Sequence, residues 1–281
     1  MTHAFRIVNV FTVDGDRFSG NPLCVFEDAR GLTDAQMQAI ARQMNLSETT
    51  FVLPSEHAGA DARVRIFTPS LEMPFAGHPT LGTASVVGAG RDRVTLEMTA
   101  GLVPVSRDGA SWTLRAAHPP RTRKVNASPA DLASMLALPE DAVVGEPLWV
   151  STGVEQLVIP LASAALVRAA RPVPALLDRW GYSSAGNEAM AYVWAADGDE
   201  WTVRFFFTVN GTCVEDPATG SACANLGGWW IATGRALPMS ATLRQGDAVG
   251  RPSRLGLRVD EDGGIHVTGA VIELGRGTID V

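Results

Sequence analysis

Apolar residues fall along this chain in many short runs and a few helical patterns. Ile7 to Val13 reads as a strand, and "GNPLCVF" as a turn leading into a second. "LTDAQMQAIARQM" predicts a helix: Met37, Ile40, Ala41 and Met44 keep helical spacing, and Thr33 with Gln36 forms a capping box. "TTFVL" and "VRIF" are β-branched or aromatic and predict strands. Pro79 suits a first helical position, so a helix is expected over Thr80 to Ala89. Its Ala, Gly and Thr residues have no polar face, which predicts burial on every side. "RVTLEMTAGLVPVSRDGASWTLRAA" is strand-rich, with Asp108-Gly109 as a hairpin turn.

Residues 118–129, "HPPRTRKVNASP", break the pattern and read as a linker between domains. Beyond it Ser128 caps a helix over Pro129 to Leu138, and "LWVST" and "QLVIPL" predict strands. Helices are expected around 162–170 and 173–180, then strands at "MAYVWAA" and "WTVRFFF". A second small-residue helix is expected to start at Pro217 with Asp216 as its cap. The end of the chain reads as strands joined at Asp262-Gly263.

The two halves echo each other. "VRIF" begins at Val64 and "VRFF" at Val203, an offset of 139. Placing Pro79 on Pro217, an offset of 138, puts Gly82 on Gly220, Thr83 on Ser221 and His78 on Asp216. A strand, a loop and a small-residue helix in the same order predict an internal repeat of about half the chain. The fold expected is α+β: two pseudo-symmetric lobes, each a mostly antiparallel sheet or barrel wrapped around one buried helix. The lobes are placed at 1–118 and 128–269, with 119–127 as the linker.

At 281 residues, 46% hydrophobic and 19% charged, the chain has an ordinary globular balance. A net charge of −7, with "RTRK" at 121–124 as the densest basic cluster, argues against a nucleic-acid surface. No apolar run reaches the ~18 residues of a membrane span, and no signal peptide is visible at "MTHAFRIVNVF". Cys24, Cys213 and Cys223 are too scattered for a disulfide framework or a zinc cage. A cytoplasmic protein is expected, with no nucleic-acid or membrane partner.

Motifs for nucleotides and metals are missing. "GHPTLG" has the glycine spacing of a P-loop, but Thr83-Ala84 follows where Lys-[Ser/Thr] is required. GxGxxG between strand and helix, GxSxG and HExxH are absent, and the five histidines lack ligand spacing. Chemistry is therefore expected from side chains and helix ends. A helix N-terminus carries unpaired N–H groups and attracts carboxylates. Gly77 and Gly220 would let a ligand approach the backbone, and Ser221 adds a hydroxyl. Plain capping is the structural alternative for each start taken singly. Glu48, in "MNLSETTFVL", is either a solvated residue at a strand start or a functional carboxylate.

"NLSETTFVL", "RIFTPSLEMPFAGHPTLGTA", "EDPATGSA", "QGDAVGRPS" and "GRGTI" together resemble the phenazine biosynthesis PhzF-like isomerases, from near residue 20 to the C-terminus. The resemblance implies a diaminopimelate epimerase-like fold with the active site between the lobes, and a last strand, 270–281, returning to the first lobe. It implies isomerisation of trans-2,3-dihydro-3-hydroxyanthranilate to an aminoketone, with no cofactor and no metal. On this resemblance Glu48 carries a proton from C3 to C1, and His78 and Asp216 assist. Gly77, Gly220 and Ser221 bind the small carboxylate substrate, and a homodimer is expected. Epimerases of this fold pair two cysteines, one per lobe; here those positions align with His78 and Asp216, while Cys213 and Cys223 only flank the second motif. Two other readings stand beside this one: an isomerase or epimerase of another small cyclic amino acid or unsaturated acid, and a non-catalytic ligand- or partner-binding protein.

Overall fold

The structure, a computed structural model, describes residues 1–185, 188–198 and 200–281. It divides into two units, Met1–Arg115 with Thr268–Val281, and Ala116–Val267.

In the first unit, β1 (Thr2–Val10) pairs antiparallel with β2 (Asn21–Phe26). Helix α1 (Asp34–Met44) crosses over to β3 (Glu48–Leu53), which lies parallel to β2. The capping box at Thr33 and Gln36 starts α1, and Asn45 in the left-handed region stops it, turning the chain into β3. β4 (Ala62–Phe67) runs antiparallel to β3, and the short β5 (Glu72–Met73) folds back on β4. Helix α2 (Gly77–Val87) follows, then β6 (Arg93–Met98), parallel to β4. β7 (Gly101–Asp108) and β8 (Ser111–Arg115) complete an antiparallel meander.

The first eight residues of α2 are all buried. Small side chains are required there: a Cβ on Gly82 would lie 2.5 Å from Leu23 Cδ2 and 3.0 Å from Val10 Cγ2. The helix is seated against β1 and β2 at that point. A buried hydrogen bond of 2.8 Å between the Thr50 and Thr83 hydroxyls ties it to β3.

The second unit opens with β9 (Arg121–Lys124), which pairs antiparallel with β10 (Leu148–Ser151). The basic stretch read as a linker thus contains a strand. Arg123 stacks over Trp149 and forms two hydrogen bonds with Glu155, so this arginine is held by local partners. α3 (Pro129–Met135), capped by Ser128, precedes β10, and β11 (Glu155–Pro160) returns antiparallel to it. Two short helices follow, α4 (Ala164–Ala169) and α5 (Pro174–Trp180), and then β12 (Tyr182–Ser183). β13 (Glu188–Ala195), β14 (Glu200–Val209) and β15 (Thr212–Asp216) lead into α6 (Gly220–Ala232). β16 (Met239–Gln245) and β17 (Ser253–Val259) come after it. The last strand, β18 (Ile265–Asp280), re-enters the first unit at Thr268 and pairs antiparallel with β1, from Val10–Val271 to Thr2–Asp280.

Strand pairing shows the repeat directly. β1–β2 antiparallel, β2–β3 parallel, β3–β4 antiparallel, β4–β5 antiparallel, β4–β6 parallel and β6–β7 antiparallel describe the first unit. β10–β11, β11–β13, β13–β14, β14–β15, β14–β16 and β16–β17 repeat the same senses in the same order. The fold is α+β, with a small-residue helix buried in each unit.

The frame of the repeat differs from the one read in the sequence. The helices start at Gly77 and Gly220, an offset of 143. Pro74 therefore matches Pro217, His78 matches Ser221, and Asp216 matches Met73. The offset grows from 139 to 143 because one hairpin is longer: Ile66 pairs with Met73, seven residues on, whereas Phe205 pairs with Asp216, eleven on. Pro79 is the third residue of α2 instead of the first, at a place where its missing N–H would have been unpaired anyway. Pro217 lies outside α6, and Asp216 is the end of β15 and not a cap; Thr219 holds that position.

Among the described residues no helix is long and apolar enough to cross a membrane.

Candidate active site

Glu48 and His78 meet in the first unit. Glu48 opens β3 opposite Leu23 of β2, and His78 is the second residue of α2. Their side chains approach to 3.2 Å, Nδ1 to Oε2, with the imidazole 4% and the carboxylate 15% exposed. Nε2 of His78 lies 3.4 Å from the carbonyl oxygen of Pro22. Burial drives the imidazole down to about 3, against a weaker opposing pull from the Pro22 carbonyl. The ring is therefore neutral at ordinary pH, carrying one proton on one of its two nitrogens. With the proton on Nδ1 it donates to an ionised Glu48. With the proton on Nε2 it faces Pro22 and can accept from a protonated Glu48. Each protonation state of the carboxyl thus has a matching tautomer. Gly77, just before His78, is the first helical residue, and the Ala76 cap makes no side-chain hydrogen bond to the helix end.

Asp216, Gly220 and Ser221 cluster in the second unit, at the start of α6. Asp216 Oδ2 accepts from the Thr219 hydroxyl at 2.6 Å. Gln245, 1% exposed, braces this turn: its Oε1 accepts from the Thr219 N–H, and its Nε2 donates to the Asp216 carbonyl and to the Thr219 hydroxyl. Next to it Gly246 has φ +82°, and a Cβ there would lie 2.2 Å from the Arg251 carbonyl oxygen and 2.5 Å from that of Pro217. Only glycine fits. Ser221 Oγ accepts from Gln156 Nε2 at 3.0 Å, and Gln156 is in turn held by Asn225.

The structure joins Glu48 to His78 and groups Asp216, Gly220 and Ser221 around one helix start. Sequence reading missed Gln156, Asn225 and Gln245. Gln245 and Gly246 lie in the quoted "QGDAVGRPS", and their adjacency to a φ-positive turn was the available signal. Gln156 opens an apolar run with no motif around it, and Asn225 lies three residues beyond the quoted "EDPATGSA".

The cysteines stand apart from this chemistry. Cys24 and Cys223 are buried, with thiols that burial raises, to about 12 at Cys24 and further at Cys223. Cys213, half-buried on β15, is raised too, chiefly by burial and then by Glu215. All three are poor nucleophiles. Among the described residues no group of three or more His, Cys, Asp and Glu is arranged to hold a metal ion.

A family model described as phenazine biosynthesis-like protein, PhzC-PhzF, matches residues 8–275. An uncharacterized isomerase of Pasteurella multocida is 39% identical over 99% of this chain and 94% of its own. The trans-2,3-dihydro-3-hydroxyanthranilate isomerase of Pseudomonas aeruginosa is 36% identical over 93% of this chain and 92% of its own. A crystal structure of a Bacillus anthracis phenazine biosynthesis protein of the PhzF family superposes with a TM-score of 0.86 at 23% identity, covering all of both chains. The chain belongs to the PhzC-PhzF family of phenazine biosynthesis-like proteins and is an isomerase.

Proposed function

We propose that this isomerase converts trans-2,3-dihydro-3-hydroxyanthranilate to its aminoketone by moving one proton from C3 to C1, with Glu48 as carrier. The observation that carries the reading is the Glu48 carboxylate 3.2 Å from a buried, neutral imidazole. A base that collects a carbon-bound proton and gives it back must be stable in both protonation states, and the two tautomers of His78 accommodate both. The proton leaves C3 for Glu48, the π electrons shift along the ring towards C1, and the carboxyl returns the proton there. The enol left at C3 relaxes to the ketone. Atoms and electrons balance without a redox partner.

On this reading His78 and the Gly77 N–H are the first unit's candidate groups for the substrate's polar atoms. Asp216, the Gly220 N–H and the Ser221 hydroxyl are those of the second unit. Support for the substrate comes from the Pseudomonas aeruginosa relative at 36% identity. The Pasteurella multocida relative, at higher identity, is named only as an isomerase, which keeps a second reading in play: another small cyclic or unsaturated amino acid with an activated carbon-bound proton. Incubation with dihydrohydroxyanthranilate, followed by ultraviolet absorbance, separates them. Turnover establishes the first. No turnover, with solvent-proton exchange on another such acid, establishes the second.

A further inference from the structure

In the second unit a chain of side-chain amides ends on Ser221, and its hydrogen-bond polarity is fixed at the far end by the backbone. The N–H of Thr152 can only donate. The Asn225 atom 2.8 Å from it is therefore the amide oxygen, which also accepts from the Thr152 hydroxyl at 2.8 Å. Asn225 Nδ2 then faces the Val154 carbonyl, which can only accept, at 2.9 Å, and Gln156 Oε1 at 2.8 Å. With its oxygen committed, Gln156 turns Nε2 to Ser221 Oγ at 3.0 Å. An amide nitrogen cannot accept, so Ser221 accepts here and keeps its own proton to give elsewhere. Asn225 is fully buried and Gln156 is 2% exposed, so water is kept from both amides, while Ser221 is only half-buried.

We infer that Gln156 and Asn225 are positioning residues that orient Ser221 to donate its hydroxyl hydrogen bond to the substrate's carboxylate, an inference that rests on the function proposed above. An unoriented serine hydroxyl can donate or accept and so tolerates an amide or hydroxyl in the ligand. A hydroxyl that already accepts on one of its two lone pairs is biased toward donating and so favours an anion. The donor joins the N–H groups of Gly220 and Ser221 at the start of α6, where the Thr219 cap makes no side-chain hydrogen bond to the helix end. The offset of 143 matches Asn225 with Gly82 in the first unit, so this relay is a feature of one repeat only.

The test compares wild type with Ser221→Ala, Gln156→Met and the double variant. Met fills the Gln156 site but neither donates nor accepts. The probes are 3-hydroxyanthranilate, an aromatic analogue with the same carboxylate, and 2-aminophenol, which lacks it. Binding is read by calorimetry, and KM and kcat with dihydrohydroxyanthranilate. Ser221→Ala should weaken 3-hydroxyanthranilate at least roughly tenfold, the loss of one bond to a charged group, and leave 2-aminophenol unchanged. Gln156→Met should weaken it by roughly threefold to tenfold, through KM more than kcat. In the Ser221→Ala background Gln156→Met should add less than about twofold. Equal loss in both backgrounds, or equal loss for the two probes, would overturn the inference. Retention of carboxylate selectivity by Ser221→Ala would overturn it too, even if Gln156→Met folds poorly. Wild type that neither binds 3-hydroxyanthranilate nor turns over the substrate would overturn the proposed function, and this inference with it.

Discussion

Lowering the pH from 7 to 5 asks whether His78 is neutral in the fold. The folded ring stays uncharged down to about pH 3, while the free side chain takes a proton near pH 6.5. Between these values the unfolded chain binds more protons than the native one, so stability falls as pH falls. The gap of about 3.5 pH units sets a ceiling of about 5 kcal/mol, reached only near pH 3. Between pH 7 and pH 5 the loss is about 2 kcal/mol. This window separates His78 from the carboxylates that neighbours hold below their usual range, among them Asp61 and Glu155, whose contribution is lost only below about pH 5. The assay is urea unfolding of wild type and His78→Gln at both pH values. Wild type should lose about 2 kcal/mol more than the variant on acidification, a difference of roughly 1 M in midpoint at a slope of about 2 kcal/mol per M. Equal losses would show that His78 is not the group. A wild type as stable at pH 5 as at pH 7 would mean an imidazolium paired with Glu48, and the two-tautomer account of the carboxyl would fail.

Two other outcomes follow from the same geometry. Gly246→Ala should cut kcat/KM at least roughly tenfold, because a Cβ 2.2 Å from one carbonyl oxygen and 2.5 Å from another displaces the turn that holds Asp216; steady-state kinetics on the folded variant, verified by circular dichroism, is the measurement. Iodoacetamide should leave activity intact and label Cys24 and Cys223 only after denaturation, as mass mapping would show, since both thiols are buried.

Much of the fold was legible because strands and caps are local. The capping box at Thr33 and the helix cap at Ser128 are formed as their sequences indicate. The burial of α2 and α6 followed from small residues without a polar face. The frame of the repeat was misread because "GHPTLG" and "EMPFAG" both contain Pro-x-x-Gly. Only the second shares the preceding Glu with "EDPATG", and only strand register decides between them. The corrected frame changes the chemistry, because the residues at matching helix positions are His78 and Ser221. The two helix starts are thus unlike, one supplying an imidazole beside a carboxylate and the other a hydroxyl. Glu48 and His78 were legible as candidates, but their contact depends on the β2–β3 register, which places Glu48 opposite Leu23. Gln156, Asn225 and Gln245 were not, since a buried amide becomes informative only when its partners are known.

Replacing Glu48 by Gln keeps the shape of the side chain and removes its capacity to take a proton. Turnover of dihydrohydroxyanthranilate by the variant in deuterated water, with label at C1 followed by NMR, tests the central claim. Glu48 as carrier predicts a fall in kcat of at least ~10²-fold, with binding of 3-hydroxyanthranilate retained. Near-normal turnover, with deuterium still arriving at C1, would show that another group moves the proton.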